Sequence, residues 1–201
     1  MDKESRVRIF DKQAEMYDRR RGDASQEQFR RGLLRHAKGD VLELAVGAGA
    51  NFPYYPPQVR VTAADFSGKM LEKAKVAAAR YRVDASFLQA DIESLQFPEH
   101  AFDTIISTLS LCSYDKPHQV VQNMMRWCKP DGQILLMEHG ISNNVILSAL
   151  QKTLNPLLYR MNGCHFTRNM EELVEGAGLQ IVHIERHWLS MLYMIRAQPS
   201  G

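Results

Sequence analysis

Cysteine is scarce in this chain: Cys112, Cys128 and Cys164 are the only three among 201 residues, and no two form a C-x-x-C pair. An odd number without close spacing speaks against a disulfide scaffold and a structural zinc knot, and fits a reducing compartment. No metal site is expected. An excess of one charge is also missing, since 25 Lys and Arg face 23 Asp and Glu for a formal net charge of +2. With no basic stripe interleaved with aromatics, that balance excludes a nucleic-acid module. No apolar run approaches the roughly 20 residues that cross a bilayer. The first twenty residues are charged from Asp2 onward, so no signal peptide is read and a cytoplasmic protein is expected. Repeats and low-complexity segments are absent, and the length suits one domain with a full core.

What is present is an alternation of strands and helices. Val7, Phe10, Ala14 and Tyr17 recur at helical spacing, predicting a helix from Ser5 that breaks around Arg21-Gly22-Asp23, with a second from about Gln26 to His36. Strands are predicted at Asp40–Val46, Val59–Ala64, Ala85–Gln89, Phe102–Ser107 and Ile134–Met137. Ser67–Ala79 reads as a helix capped by Ser67, with Met70, Leu71, Ala74, Ala77 and Ala78 as its apolar stripe. Another runs from Pro117 to Cys128 and closes on the turn signal Lys129-Pro130-Asp131-Gly132. Ser142–Met161 is helical with a break at Pro156, and a short helix at Asn169–Ala177 ends on Gly178. Gln180–Glu185 and Leu189–Ala197 close the chain as a hairpin at the sheet edge. The pattern predicts an α/β fold with a mostly parallel sheet covered on both faces.

Polar groups gather at the predicted strand ends, where open α/β sheets bind ligands. The run Val41-Leu42-Glu43-Leu44-Ala45-Val46-Gly47-Ala48-Gly49-Ala50-Asn51 carries an apolar strand into a glycine turn, and the next strand ends on Asp65. A turn that admits close backbone approach, beside a carboxylate able to accept from two ribose hydroxyls, describes a nucleoside pocket. The other strand ends offer Phe66-Ser67, Asp91-Ile92, Ser107 to Cys112, and Glu138-His139.

Over nearly its whole length the chain resembles the class I S-adenosylmethionine-dependent methyltransferases. Glu43 to Gly49 resembles the family's acidic residue and G-x-G-x-G turn, with Ala45 standing where the first glycine is expected. Asp65 matches the ribose-binding acid, Asp91 the adenine-edge acid, and Phe102-Asp103-Thr104-Ile105-Ile106-Ser107 the fourth-strand signature. Within the family, Phe10 to Asp18, Met137-Glu138-His139-Gly140 and Gly163-Cys164-His165-Phe166-Thr167-Arg168 resemble segments of quinone-biosynthesis and phospholipid N-methyltransferases and of membrane-associated thiol methyltransferases. The resemblance implies a Rossmann-like sheet of seven mostly parallel strands with an antiparallel C-terminal hairpin. It divides the single domain into an N-terminal helical lid (1–38), a cofactor-binding core (39–139), an acceptor-side cap (140–168) and the last helix with the edge hairpin (169–201). S-adenosylmethionine is the implied cofactor, with Tyr17, Glu43, Ala45, Gly47, Gly49, Asn51, Asp65, Phe66, Ser67, Met70, Asp91, Ile92 and Ser107 as its candidate contacts. Glu43, or the carbonyls around Ala45, is a candidate partner for the donor's ammonium.

Asp65 fits the ribose of a dinucleotide as well. Phe52, however, occupies the third glycine's position counted from Gly47, which disfavours a pyrophosphate on the helix N-terminus. Alanine at position 45 is accommodated where φ is negative, so a slightly displaced loop with retained binding is expected. A positive φ would cost about 1–2 kcal/mol. Two competing readings follow: a non-catalytic binder whose site has decayed at Ala45, and an NAD-linked oxidoreductase.

Methyl transfer from a sulfonium needs alignment and exclusion of water, and a base only when the acceptor holds its proton. His139 and His165 are the candidate bases, with His139 favoured by its place after the fifth strand. Leu111, Leu150, Leu154, Tyr159 and Cys164 are the candidate acceptor lining, Cys164 as a small hydrophobe rather than a nucleophile. This apolar segment suits a small apolar or amphiphilic acceptor. With Lys152, Arg160 and a basic N-terminus, whose first 38 residues carry a net +4, it also suits peripheral contact with a membrane. The sequence carries no signal for an oligomeric state.

Overall fold

The computed structural model describes residues 3–21 and 23–200, so Gly22 in the expected helix break lies outside the described residues. Two helices lead, α1 (Lys3–Arg19) and α2 (Ala24–Leu34), the second capped by Asp23 accepting from Ser25 N at 2.9 Å. There follow β1 (Asp40–Leu44), β2 (Arg60–Asp65), α3 (Gly68–Tyr81), β3 (Asp84–Gln89), β4 (Phe102–Thr108), α4 (Pro117–Trp127) and β5 (Cys128–His139). The chain closes with α5 (Val145–Asn162), α6 (Met170–Gly176), β6 (Leu179–His187) and β7 (Leu192–Pro199).

The strands form one seven-stranded sheet in the order β3-β2-β1-β4-β5-β7-β6. The first five are parallel, while β7 runs antiparallel to both β5 and β6. Strand order reverses between β1 and β4, which opens a crevice at their carboxyl ends. On one face α4 and α6 bury Val120, Met124, Trp127, Met170 and Val174 against Leu42, Ile105 and Ile134. On the other, α2 and α3 bury Phe29, Leu33, Leu34, Leu71 and Ala74 against Val41, Ala63, Ile106 and Leu135. Apolar residues on both sides of the strands explain their unbroken hydrophobic runs.

Two local expectations are corrected. Pro156 does not break the cap helix: α5 continues through it from an Asn144 cap to Gly163, whose left-handed φ of 72° closes the C-terminus. The side chains of Gln151 and Asn155 anchor the helix on the N-terminal side of the proline. Residues 129–132, predicted as a turn before the strand, are absorbed into β5 as an irregularity. Cys128 already pairs with Phe102, and Gln133 resumes the pairing at Thr104.

The leading helix lies across the carboxyl end of the sheet. Ala14 packs with Ala48 and Met70. Arg21 Nε donates to the Ala48 carbonyl at 3.0 Å, and Arg6 donates to the Ser113 carbonyl at 3.0 Å while pairing with Asp115 at 2.8 Å.

Candidate active site

The loop after β1 is held by Asp65. Its Oδ2 accepts from Gly47 N at 2.9 Å and its Oδ1 from Ser67 N at 2.8 Å, so the carboxylate at the end of β2 ties the glycine loop to the start of α3. Burial pushes the Asp65 pKa up to about 6, against the lowering effect of those hydrogen bonds. A Cβ at Gly47 would meet nothing within 4 Å, leaving open space above the loop. Gly49 has a different reason: with φ +79°, a Cβ there would stand 2.9 Å from the Phe52 ring.

Ala45 has φ +52°, not the negative value expected, and therefore carries the left-handed cost of about 1–2 kcal/mol. Neighbouring bonds hold it there. Val46 N donates to the Ala64 carbonyl, Gly49 N to the Val46 carbonyl, and Gly47 N to Asp65.

A cleft opens above this loop, lined by Phe10, Tyr17, Ala45, Gly47, Asp65, Phe66 and Met70 on one side and Thr108, Leu109 and Ser110 on the other. It continues past Phe66 and Ser113 into a smaller hollow holding Asp91, Arg6 and Tyr114. Phe10 meets Phe66 edge to face at 5.4 Å, so α1 forms part of the roof.

Beneath the cleft lies a buried polar floor. Glu43 accepts from Asn51 Nδ2 and from Tyr55 OH, each at 2.8 Å. Burial raises its pKa to about 7 against these bonds. Both carboxylate oxygens hold neighbouring side chains, so Glu43 braces the loop from beneath the cleft. Asn51 also donates to Thr108 at 3.1 Å and accepts from Arg30. Ser107 is sealed behind the site, donating to Glu138 at 2.6 Å. Glu138 also accepts from Ser110 N and Leu111 N at 2.9 and 3.1 Å, which fixes the turn after β4. Its pKa is likewise pushed up to about 7 by burial.

A second cavity adjoins the first. His139, Asn162, Cys164 and Phe166 face Gln13, Arg20 and Gln26 across it, and Tyr17, Arg30, Ala50 and Leu109 line both spaces. The His139 ring lies 5.3 Å from Phe166. Burial lowers its pKa, opposed by a hydrogen bond to the Met191 backbone, so the imidazole is neutral near pH 7 with one ring nitrogen occupied. Cys164 hydrogen-bonds the buried Cys112 thiol, which lowers the Cys164 pKa and raises that of Cys112.

Several sequence-predicted residues stand elsewhere. Ser67 is buried as the α3 cap, accepting from Met70 N at 3.1 Å and donating to Asp11. Ile92 and Leu111 are core residues. His165 stacks on Tyr159 with centroids 4.0 Å apart and meets Asn155 Nδ2 at 3.1 Å, off the walls of both cavities. Leu150 and Leu154 point into solvent. Arg30, which bridges the floor and both cavities, is absent from the sequence-based set. Its signal was a cation one turn before Leu33 and Leu34 on the buried face of α2. Among the described residues, no group of three or more His, Cys, Asp or Glu is arranged to hold a metal ion.

Comparison with known proteins bears on the family and the fold. Residues 42–136 match the family model described as a methyltransferase domain. The thiol S-methyltransferase TMT1B of Rattus norvegicus is 35% identical over 152 residues, covering 72% of this chain and 62% of its own length. A phosphatidylethanolamine N-methyltransferase of Cereibacter sphaeroides is 32% identical over 118 residues, 58% of each chain. The chain thus spans about three fifths of these relatives. For the fold, a Thermotoga maritima structure described as a SAM-dependent methyltransferase, possible histamine N-methyltransferase, superposes with a TM-score of 0.69 at 16% identity, covering 96% and 99% of the two chains. By its domain match and its curated relatives, the chain carries a methyltransferase domain of the S-adenosylmethionine-dependent kind over residues 42–136, set in the seven-stranded sheet.

Proposed function

We propose that the chain transfers the sulfonium methyl of S-adenosylmethionine to a small apolar or amphiphilic acceptor by in-line displacement, with a thiol as the favoured acceptor group. The observation that carries this reading is the wall shared by Tyr17, Arg30, Ala50 and Leu109, across which a donor in the cleft would meet an acceptor in the second cavity. The donor supplies an electrophilic methyl carbon. The residues present fit it. Asp65 lines the cleft, and each of its oxygens keeps acceptor capacity for a ribose hydroxyl beyond its backbone bond. Gly47 leaves room for close approach, and Phe66 with the Asp91 hollow offers a slot for the base. Arg30 is the cation placed to balance the donor's carboxylate, and α1 covers the cleft and excludes water.

His139 is the group placed to take the acceptor's proton. A neutral imidazole suits a thiol, whose ordinary pKa is about 8.5, far better than an aliphatic hydroxyl or an ammonium. The thiol methyltransferase among the relatives supports the same choice. No helix among the described residues is long and apolar enough to cross a membrane. One observation favours a rival reading as a binder without turnover: the strained Ala45 in the donor loop.

Incubation with S-adenosylmethionine and a panel of thiol, phenol, quinol and amine acceptors, read as S-adenosylhomocysteine formed, decides between them. Turnover is expected with apolar thiols, and His139→Ala should lower kcat by roughly 10²–10⁴-fold with donor affinity unchanged. Calorimetric binding of the donor with no product from any acceptor would favour the binder. Tighter binding of NADH than of S-adenosylhomocysteine would favour an oxidoreductase.

A further inference from the structure

The helix α5 is built inside out. Its inward side sets hydrogen-bonded amides between the half-buried Leu147 and Leu158: Gln151 Nε2 donates to the carbonyls of Gly140 and Phe166 at 3.1 and 3.0 Å, and Gln151 Oε1 accepts from Ser142 N at 2.8 Å. Asn155 Oδ1 accepts from Phe166 N at 3.0 Å. Its outward side carries Ile146, Leu150, Leu154, Leu157 and Met161, which fall on one stripe at helical spacing and are 41–78% exposed. No residue of α5 is buried. A surface helix of a water-exposed fold shows the reverse pattern. Scattered exposed leucines need no explanation, whereas a contiguous stripe marks an interaction surface.

The stripe extends beyond the helix. Ser142 Oγ and Asn143 N donate to the Leu189 carbonyl at 2.7 and 3.2 Å, which seats the β6–β7 turn against the start of α5. That turn holds Trp188, Leu189 and Ser190 at positive φ and leaves Trp188 and Leu189 about half exposed. Val145, at the head of the helix, is 80% exposed.

Charge selects the occupant. Residues 140–168 contain no Asp or Glu, and the charged residues of α5 itself are Lys152 and Arg160, both exposed. An apolar stripe with the exposed Arg160 at its edge, no acid in the segment and a tryptophan at its border complements a bilayer surface with anionic headgroups. We propose that α5, with Trp188 and Leu189, seats this protein on an anionic membrane surface with the helix lying in the plane of the interface. The helix leads directly to Asn162, Cys164 and Phe166 on the wall of the second cavity, so an amphiphile can pass from the bilayer into it. That delivery route deepens the acceptor class proposed above and rests on that reading, while the docking itself does not.

The test is flotation of the full chain with vesicles of phosphatidylcholine alone and of phosphatidylcholine mixed with phosphatidylserine. The wild type should float with the mixed vesicles, and added salt should weaken the binding. The double variant Ile146→Gln/Leu157→Gln should lose about tenfold or more in partitioning. Lys152→Glu/Arg160→Glu should lose the preference for phosphatidylserine. Circular dichroism and thermal melting verify that each variant is folded. The Gln variant should keep its turnover of a water-soluble thiol and lose turnover of a vesicle-borne amphiphilic thiol. The proposal is overturned if the wild type stays below both vesicle types, or if the folded Gln variant floats equally well. A dimer that the Gln variant dissolves, without flotation of the wild type, would give the stripe to a second copy and overturn it as well. Flotation without methyl transfer to any acceptor would sink the proposed activity and leave the docking intact.

Discussion

The helices α3 and α5 carry apolar stripes of similar spacing and turn them in opposite directions. α3 packs Met70, Leu71, Ala74, Ala77 and Ala78 inward and leaves Lys69, Glu72 and Lys75 in water. α5 turns Gln151 and Asn155 inward and Leu150, Leu154 and Leu157 outward. The first is held by burial of apolar area, the second by a few directional hydrogen bonds. The difference follows the two halves of the site. The proposed donor half, at the head of α3, is fixed by a packed core, and the proposed acceptor half hangs from a helix whose apolar face remains available. A scaffold of this kind can keep one methyl donor while its acceptor side adapts to a different medium.

The comparison predicts its largest effect in α3. Leu71→Ala should cost about 2–5 kcal/mol in urea denaturation, because it empties a site closed on all sides. A cost below about 1 kcal/mol would mean that α3 is not held by burial. At the head of the same helix, Asp65→Ala should weaken donor binding by about 1–3 kcal/mol in calorimetry. Unchanged affinity would remove Asp65 from the donor contacts, and a comparable loss from Leu154→Ala would erase the division between the two halves.

The donor half was the more legible in sequence because its signals are local. The acid ending β2 and the Ser67 cap each bond a backbone group two or three residues away, and the glycine turn lies 18 residues before Asp65. Composition marks the α5 segment as apolar, but it does not say which residues share a face or which way that face points. The inward anchors, Gln151 and Asn155, bond to residues 140 to 166, and those contacts exist only once the cap has folded. The place of His165 is hidden for the same reason: its stacking on Tyr159 depends on α5 continuing through Pro156. Arg30 looked like any of the cations in a basic N-terminus until its position beside Leu33 and Leu34 is weighed. The conformation of Ala45 is set by the strands on either side and was not readable from the residue itself.

Intermediate effects come from the polar floor of the donor half. Glu138 is a carboxyl whose folded pKa stands at about 7, above its ordinary 4.5. The folded state therefore holds a proton that the unfolded chain has lost, and stability falls as pH rises through that window. Glu43 acts in the same direction. Glu138→Gln should flatten the decline measured by urea denaturation between pH 5 and pH 8, and an unchanged slope would mean that Glu138 does not titrate there. Donor affinity should rise with pH through about 6, the pKa of Asp65, because the ionised carboxylate accepts hydroxyl hydrogen bonds more strongly. Ala45→Gly relieves a left-handed alanine, less the entropy that glycine adds to the unfolded chain, and should stabilise by at most about 1 kcal/mol. That raises Tm by roughly 2–4 °C for a domain of this size. A fall in Tm would show that the Ala45 methyl is packed usefully where it stands.

The smallest effect belongs to the outer face of α5, and it is the sharpest check on the comparison. Leu157 is 58% exposed on a helix with no buried residue, so Leu157→Ala removes little area from any contact and substitutes a better helix former. Its stability change in water should lie within about 0.5 kcal/mol of zero, against the several kcal/mol expected at Leu71 for the same chemical change. A loss at Leu157 approaching that at Leu71 would mean that α5 packs on protein in solution, through a second copy or a rearranged cap. A null effect in water, joined to weaker binding of vesicles, would place the cost of that leucine in the membrane and not in the fold.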